Sequence, residues 1–309
     1  MAGPLTIEVG AAVAGERLDQ LLARADAIGS RSAAQRLIDA GRVTVDGAVV
    51  PKRHRVAAGE RVEVAPAADV AGGGGAPAAE EVSFDIVWED EHLLVVDKPA
   101  GVVVHPARGH RGATLAEALA GRISIAPTPE EAGRAGIVHR LDKDTSGLLV
   151  VAKSEAVHRA LQELIRRRAL RREYLALVEG CPPARSGTID APIGRDRRVR
   201  TRMSTDTDVP RAARTHFELE RALSGFALLR VTLETGRTHQ IRVHLKAIGH
   251  PVAGDPEYGT AGQLGLRRQF LHAARLAFAH PVTGESVDAA SPLPADLQAV
   301  LDRLSAGTV

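Results

Sequence analysis

The sequence predicts an α+β protein: a large domain built on a mixed, mainly antiparallel sheet, preceded by a small α/β unit. Three observations carry this. The body is a series of short apolar runs without regular βαβ alternation. Helical periodicity appears at only a few places. The composition breaks once, at PAADVAGGGGAPAA (Pro66 to Ala79), where consecutive glycines beside Ala and Pro read as a flexible linker. The expected organisation is residues 1–66 as the small unit, 67–80 as linker and 81–309 as the body. No internal repeat is evident.

In the small unit, Arg17 to Leu22 begins a helix with one apolar face. Ser30 or Ser32 can cap a second helix through Ala33, Leu37 and Ile38, with Gly41 to end it. Val43 and Val45 then alternate into Asp46-Gly47, a hairpin signal, and Arg61 to Val64 gives a further strand. Arg31, Arg36, Arg42, Lys52, Arg53 and Arg55 decorate this unit.

In the body, Phe84 to Trp88 and His92 to Val96 are apolar runs split by Glu89-Asp90-Glu91, a hairpin pattern. Val102 to Val104 follows a Lys-Pro-Ala-Gly turn, and Ala113 to Ala120 is a short helix. Glu155 to Arg168 is a longer helix with Val157, Leu161, Leu164 and Ile165 as its apolar stripe. Tyr174 to Val178, Phe217 to Leu219 and Leu228 to Leu233 are strands. Thr238 can cap a helix carrying Ile241, Leu245 and Ile248, ended by Gly249. The last helix runs from about Ala295 to Leu304.

The 309 residues are 44% hydrophobic and 25% charged, ordinary for a soluble globular protein. No apolar run approaches the ~20 residues of a membrane helix. The opening MAGPLTIEVG lacks a basic region followed by an apolar core, so no secretory signal is expected. One cysteine, Cys181, excludes a disulfide framework and any multi-cysteine zinc site. A cytoplasmic location follows from these together. The net charge of +2 is uninformative, but its distribution is not. Between Arg159 and Arg202 stand twelve arginines and no lysine against five acids, a net of +7. Such a stretch suits a phosphate backbone, or is a solvated arginine-rich face. Aromatics are only 3%, so RNA recognition here would rest on phosphate contacts and shape more than on stacking.

The densest chemistry lies in GIVHRLDKDTSGLLVVAK (Gly136 to Lys153), two apolar runs around a polar knot. If Ile137 to Leu141 is a strand, Arg140 and Asp142 share one face and His139 and Leu141 the other. Cations beside a carboxylate favour its charged form, which suits a nucleophile or charge stabiliser better than a general acid. A metal site could use His139, Asp142 and Asp144, though Arg140 and Lys143 would repel the ion. A hydrolase would need Ser146 on an elbow whose first glycine is missing. Asp142 and Asp144 could serve a glycosidase, though a turn does not fix their separation. A surface turn with local ion pairs accounts for the same residues.

HRLDKDTSGLLVVAK resembles the signature of the RluA/RluD family of pseudouridine synthases. Further stretches resemble that family: DKPAGVVVHP (Asp97 to Pro106), RREYLALVEG (Arg171 to Gly180), ETGRTHQIRVHLKAIGHPVAGDPEYG (Glu234 to Gly259) and FLHAARLAFAHPVTGE (Phe270 to Glu285). In the small unit, SRSAAQRLIDAGRVTVDG followed by the basic turn PKRHR resembles the RNA-binding fold named after ribosomal protein S-four, over Glu16 to Val64. The resemblance implies the pseudouridine synthase fold and isomerisation of uridine in RNA, with no atom lost, no oxidation and no cofactor. It implies Asp142 as the catalytic carboxylate, Tyr174 to stack on uracil and move a proton, and Arg242 to pair with Asp142. Arg140 is implied to fill the space that the turned-out base leaves. His139, Lys143, Thr238 and His239 are candidate substrate contacts, whereas His105, His244 and His272 are expected to be structural. Large-subunit ribosomal RNA is the expected substrate of a monomer without a metal. A transfer-RNA enzyme and a non-catalytic ribosome-assembly factor are the alternatives.

Overall fold

The computed structural model describes residues 5–25, 28, 34–35, 37–38, 41–51, 53–65, 82–106, 112–120 and 136–307. The chain divides into two compact units, Met1–Ala76 and Pro77–Val309. The Gly-rich stretch expected as linker lies outside the described residues, as do Ser30 and Ser32.

The first unit holds β1 (Leu5–Glu8), α1 (Leu18–Ala23), β2 (Val43–Val45), β3 (Ala48–Val49) and β4 (Arg61–Val64). The sheet order is β1-β4-β2-β3, antiparallel throughout. Leu18, Leu22, Val43 and Val62 form its core, each fully buried. The hairpin signal works as its residues demand. Asp46 and Gly47 take positive φ (49° and 79°), and the Asp46 carboxylate accepts the Arg61 N–H at 2.9 Å.

The second unit begins with β5 (Asp85–Glu89) and β6 (Leu93–Lys98), then α2 (Leu115–Ala120), β7 (Ser146–Ala152), α3 (Glu155–Arg166), β8 (Arg171–Glu179) and β9 (Ser186–Asp190). After a small hairpin, β10 (Gly194–Arg195) and β11 (Met203–Ser204), come β12 (Arg214–Leu223), β13 (Phe226–Leu233), α4 (Gln240–Ala247), β14 (Leu271–Ala279), β15 (Ser286–Ala290) and α5 (Ala295–Ser305). Nine strands form one sheet, ordered β5-β6-β7-β14-β8-β13-β12-β9, with β15 on β14. Only the β7–β14 pair is parallel, so the mainly antiparallel α+β architecture expected from the sequence holds.

The central strand β7 explains the unbroken run Leu148 to Ala152, because all seven of its residues are buried. Alternation sends Leu149 and Val151 into one core cluster and Leu148, Val150 and Ala152 into another, with Val157 and Leu161 of α3 closing the latter. Gly147 is needed where β7 meets β14. A Cβ there would lie 2.3 Å from the Ala273 carbonyl oxygen, and its φ is 113°. Ser146 is 3% exposed, and its hydroxyl meets His272 Nδ1 at 3.0 Å and Arg268 at 3.3 Å. It is a packing residue of the strand pair, not a nucleophile on an elbow.

Two local expectations are corrected. Ile137 to Leu141 is not a strand. Ile137 makes a single bridge to Val151, and the chain then loops; past it, side chains take the carbonyls of Lys143 and Asp144. Thr238 does not cap α4. The N-cap is His239, held at φ 55° with no capping bond from its side chain. Gln240 braces the loop that enters the helix, since its side-chain oxygen accepts from Arg237 N–H at 2.9 Å and from the Thr235 hydroxyl at 2.8 Å.

Candidate active site

The polar knot is a loop held from below. Lys98, fully buried, donates to the carbonyls of Pro99, Val102 and Lys143 at 2.8, 2.9 and 2.9 Å. The Gly101 N–H reaches the same Lys143 carbonyl at 2.9 Å. Burial pushes the Lys98 amine down to about 7, against the pull of Asp144 and Asp142. On the far side of the knot, Arg268 donates to the Asp144 carbonyl at 3.1 Å, while Asp296 grips its guanidinium at 2.7 and 3.0 Å. Asp142 therefore stands immediately before two loop carbonyls, each pinned by a buried cation.

Its carboxylate meets α4. Arg242, 5% exposed, places one terminal nitrogen 3.0 Å from Asp142 Oδ2. Asp255 takes the rest of the fork at 2.6 and 2.9 Å, and Glu257 adds a contact at 3.3 Å. Burial opposes the charge on Arg242, but Asp255 and Asp142 outweigh it and raise its pKa. The Tyr258 ring lies under the guanidinium, 4.9 Å from it. His239 meets the Tyr258 hydroxyl at 2.9 Å and approaches Asp142 to 4.0 Å, and burial lowers its pKa.

Asp142 opens onto a cavity of about 550 Å³ that also exposes His139, Arg140, Arg172, Tyr174 and Thr238. That volume suits a nucleotide-sized ligand. Tyr174 is 5% exposed and burial raises the pKa of its phenol, so it stays protonated at neutral pH. Exposed Arg166 and Arg168 and half-buried Arg237 also line the cavity. A smaller adjoining pocket shares Arg140, Asp142 and Tyr174 and adds His239 and Arg242. The arrangement can hold a ring against Tyr174, place a carboxylate beside it and meet phosphates at the rim.

Of the residues singled out in the sequence, Asp142, Tyr174, Arg242, Arg140, His139, Thr238 and His239 converge here. Lys143 is exposed and lines neither pocket, and its carbonyl is a loop anchor. In the first unit, Arg42 donates to the Ala65 carbonyl and Arg55 to that of Gly15, while Arg53 is exposed. Arg31, Arg36 and Lys52 lie outside the described residues. The arginine-rich stretch is also less free than its charge suggests. Arg166 and Arg167 pair with Glu163, Arg168 with Glu234, and Arg197 with Asp206 and Asp208. Sequence reasoning passed over Asp255, Glu257, Tyr258 and Arg172. The first three stand in the quoted stretch with Arg242, and Arg172 is two residues from Tyr174 on a strand, hence on the same face.

The relatives of this chain make it an RNA-modifying isomerase. Residues 92–247 match the RNA pseudouridylate synthase family model, and residues 16–62 match the S4 domain model. The chain is 42% identical to the Bacillus subtilis protein "Uncharacterized RNA pseudouridine synthase YlyB", over 94% of each chain. It is 43% identical to "Ribosomal large subunit pseudouridine synthase D" of Pseudomonas aeruginosa, over 96% of this chain and 94% of the relative. Among solved structures, "Human RNA Pseudouridylate Synthase Domain Containing 1" superposes with a TM-score of 0.56 at 29% identity, covering 75% of this chain and 96% of that one. The chain belongs to the RNA pseudouridylate synthase family, with an N-terminal S4 domain, and is an RNA pseudouridine synthase.

Proposed function

We propose that this enzyme isomerises uridine to pseudouridine in large-subunit ribosomal RNA, with Asp142 as the reacting carboxylate. The observation that carries the assignment is the 3.0 Å pair between Asp142 and buried Arg242 at the mouth of a cavity shared with Tyr174. In the reaction the C1′–N1 bond breaks, the uracil turns, and a C1′–C5 bond forms. The C5 proton is lost and N1 gains one, so atoms and electrons balance without an oxidant. Asp142 attacks the sugar or the base, and Arg242 keeps its carboxylate aimed. Tyr174 stacks on the uracil and moves the last proton. Arg140 takes the space the base leaves, which offsets part of the few kcal/mol that unstacking costs. His139, Thr238 and His239 frame the substrate. The basic residues of residues 1–66, Arg31, Arg36, Arg42, Lys52, Arg53 and Arg55, add phosphate contacts through a tether at 67–80 to the catalytic body at 81–309.

The choice of ribosomal RNA rests on relatives named for the ribosomal large subunit, at 41–43% identity, together with the S4 domain. A cytoplasmic monomer acting on this RNA or its assembly precursor fits that reading. The test is a map of pseudouridines in total RNA with and without the gene. Loss confined to large-subunit ribosomal RNA is expected. Loss confined to transfer RNA would overturn the substrate, and no loss at all would leave an RNA-binding assembly factor.

A further inference from the structure

Arg172 is a buried cation that the reaction as described above does not use. It is 4% exposed. Among the described residues it has no carboxylate within ion-pair distance, and its one hydrogen bond is a long 3.4 Å contact to the Leu233 carbonyl. Its Nε–H is buried without a partner. The neighbours on β8 differ sharply. Glu173, on the opposite face, is met by Arg171, Arg230 and Arg275. A guanidinium taken out of water without a counter-charge is costly, so such a group is a candidate for completion by a ligand.

The cavity is where that ligand would lie. Arg172 lines it, on the same strand face as Tyr174. His139 lines it as well. The Nε2 of that ring accepts the Val150 N–H at 3.2 Å, so Nδ1 carries the hydrogen, and Nδ1 is buried with no partner. Burial and the charge of Arg172 hold His139 down to about 3, which keeps it neutral. Gly236 leaves the guanidinium its place, since a Cβ there would stand 3.0 Å from an Arg172 terminal nitrogen. Both residues thus line the cavity beside the tyrosine, and each carries a buried donor without a partner, the Arg172 Nε–H and the His139 Nδ1–H. Phosphates of a bound strand can be met by the exposed arginines at the rim. Only a group inserted deeply reaches Arg172, and in RNA that group is a turned-out base.

We propose that Arg172, assisted by the His139 Nδ1–H, binds the carbonyl oxygens of the inserted uracil and stabilises the negative charge they acquire during isomerisation. This rests on the reading of Asp142 given above. If the carboxylate attacks C1′, the C1′–N1 pair leaves with the base and charge spreads to O2 and O4. If it adds to C6, the charge falls on O4. Either charge is discharged as C1′–C5 closes, Asp142 is released and N1 gains a proton, which balances the proton lost from C5. A fixed cation in a dry cavity acts on that charge far more strongly than one in water. Arg172 would then touch the reacting base, which makes it a catalytic residue.

The test has two arms. The first follows the Arg172 Nε–H signal of the full-length protein by nuclear magnetic resonance, assigned by its loss in Arg172→Lys. Titration with free uracil should shift it, and inorganic phosphate should not. A shift with phosphate alone would make the site a backbone subsite, and no shift with either would leave Arg172 a structural group; both overturn the proposal. The second arm compares wild type and Arg172→Lys on an unmodified large-subunit ribosomal RNA transcript. The saturating single-turnover rate should fall about 100-fold with RNA affinity changed less than threefold. Weaker affinity with an unchanged saturating rate would overturn it. If the wild type modifies no uridine in the transcript, the assignment of ribosomal RNA fails, while the uracil titration still decides the role of Arg172.

Discussion

Asp142 and Asp255 share one guanidinium. Arg242 gives a terminal nitrogen to Asp142 at 3.0 Å and its bidentate fork to Asp255 at 2.6 and 2.9 Å. Asp255 is fully buried and also accepts the N–H groups of Glu257 and Tyr258 at 2.9 and 3.0 Å. Arg242 thus has no freedom to swing, and Asp142, half-buried, takes its orientation from a cation fixed elsewhere. Of the two carboxylates, Asp142 stays accessible and Asp255 is sealed.

Asp142→Asn keeps the shape of the side chain and removes its charge. We expect RNA binding within about threefold of wild type and turnover below about one part in a thousand, because loss of a nucleophile removes essentially all catalysis. Single-turnover assay and filter binding on the same preparation measure both. Residual turnover above that level would remove Asp142 from the role.

Asp255→Asn loosens the far end of Arg242 without touching the cavity. Misplacement of a catalytic group by about 1 Å can cost on the order of 100-fold in rate. A rate loss of about 10- to 100-fold is expected, with RNA affinity unchanged. A variant that turns over normally would show that Arg242 needs no second anchor.

Much of this was legible in the sequence, for identifiable reasons. β6 and β7 read as strands because both faces of each are buried, and α3 because Val157 and Leu161 recur on one face. β14 did not, because Leu-His-Ala-Ala-Arg-Leu-Ala-Phe-Ala has neither an alternating pattern nor β-branched residues. Ile137 to Leu141 misled because its alternation is real, but only Ile137 bridges a strand, and the loop that follows is held at Lys143 and Asp144 by Lys98 and Arg268 from distant parts of the chain. Asp142 and Arg242 could be singled out through motif resemblance. Their separation of 100 positions leaves no local pattern that reports their contact. Arg172 offered only its place two residues from Tyr174, and its burial without a counter-charge shows in the structure alone.

Lys98 makes the pH dependence of stability testable. Its ordinary value is 10.5, and burial lowers it to about 7 in the folded state. Between those values the unfolded chain binds more protons, so stability contributed by this group rises with pH across the window and is lowest below about 7. Urea unfolding at pH 7, 8.5 and 10 should show wild type gaining stability relative to Lys98→Met as pH rises. A constant difference would mean that the Lys98 amine stays charged through the window.

Tyr174→Phe separates stacking from proton transfer. The ring packing survives, and a buried phenol gives up only its hydroxyl. Proton transfer by a placed side chain contributes about 100- to 10,000-fold, so the rate should fall by at least the lower figure with thermal stability little changed. A near wild-type rate in the Phe variant would confine Tyr174 to packing.

The two units invite a test of divided labour. Deleting residues 1–66 removes Arg31, Arg36, Arg42, Lys52, Arg53 and Arg55 and none of the residues around the cavity. The second unit has its own clusters of buried side chains, and the first has a separate one, so the body should fold alone. A tethered basic unit raises the effective concentration of the body on a long RNA. Each phosphate contact it makes adds to the dependence of binding on salt. The truncated enzyme should therefore bind structured ribosomal RNA more weakly and with a shallower salt slope, while its single-turnover rate at saturating RNA stays near wild type. Unchanged affinity and slope would mean that the small unit does not hold this RNA. A collapsed saturating rate would mean that it helps to place the target uridine, and that recognition and chemistry are not separable in this enzyme.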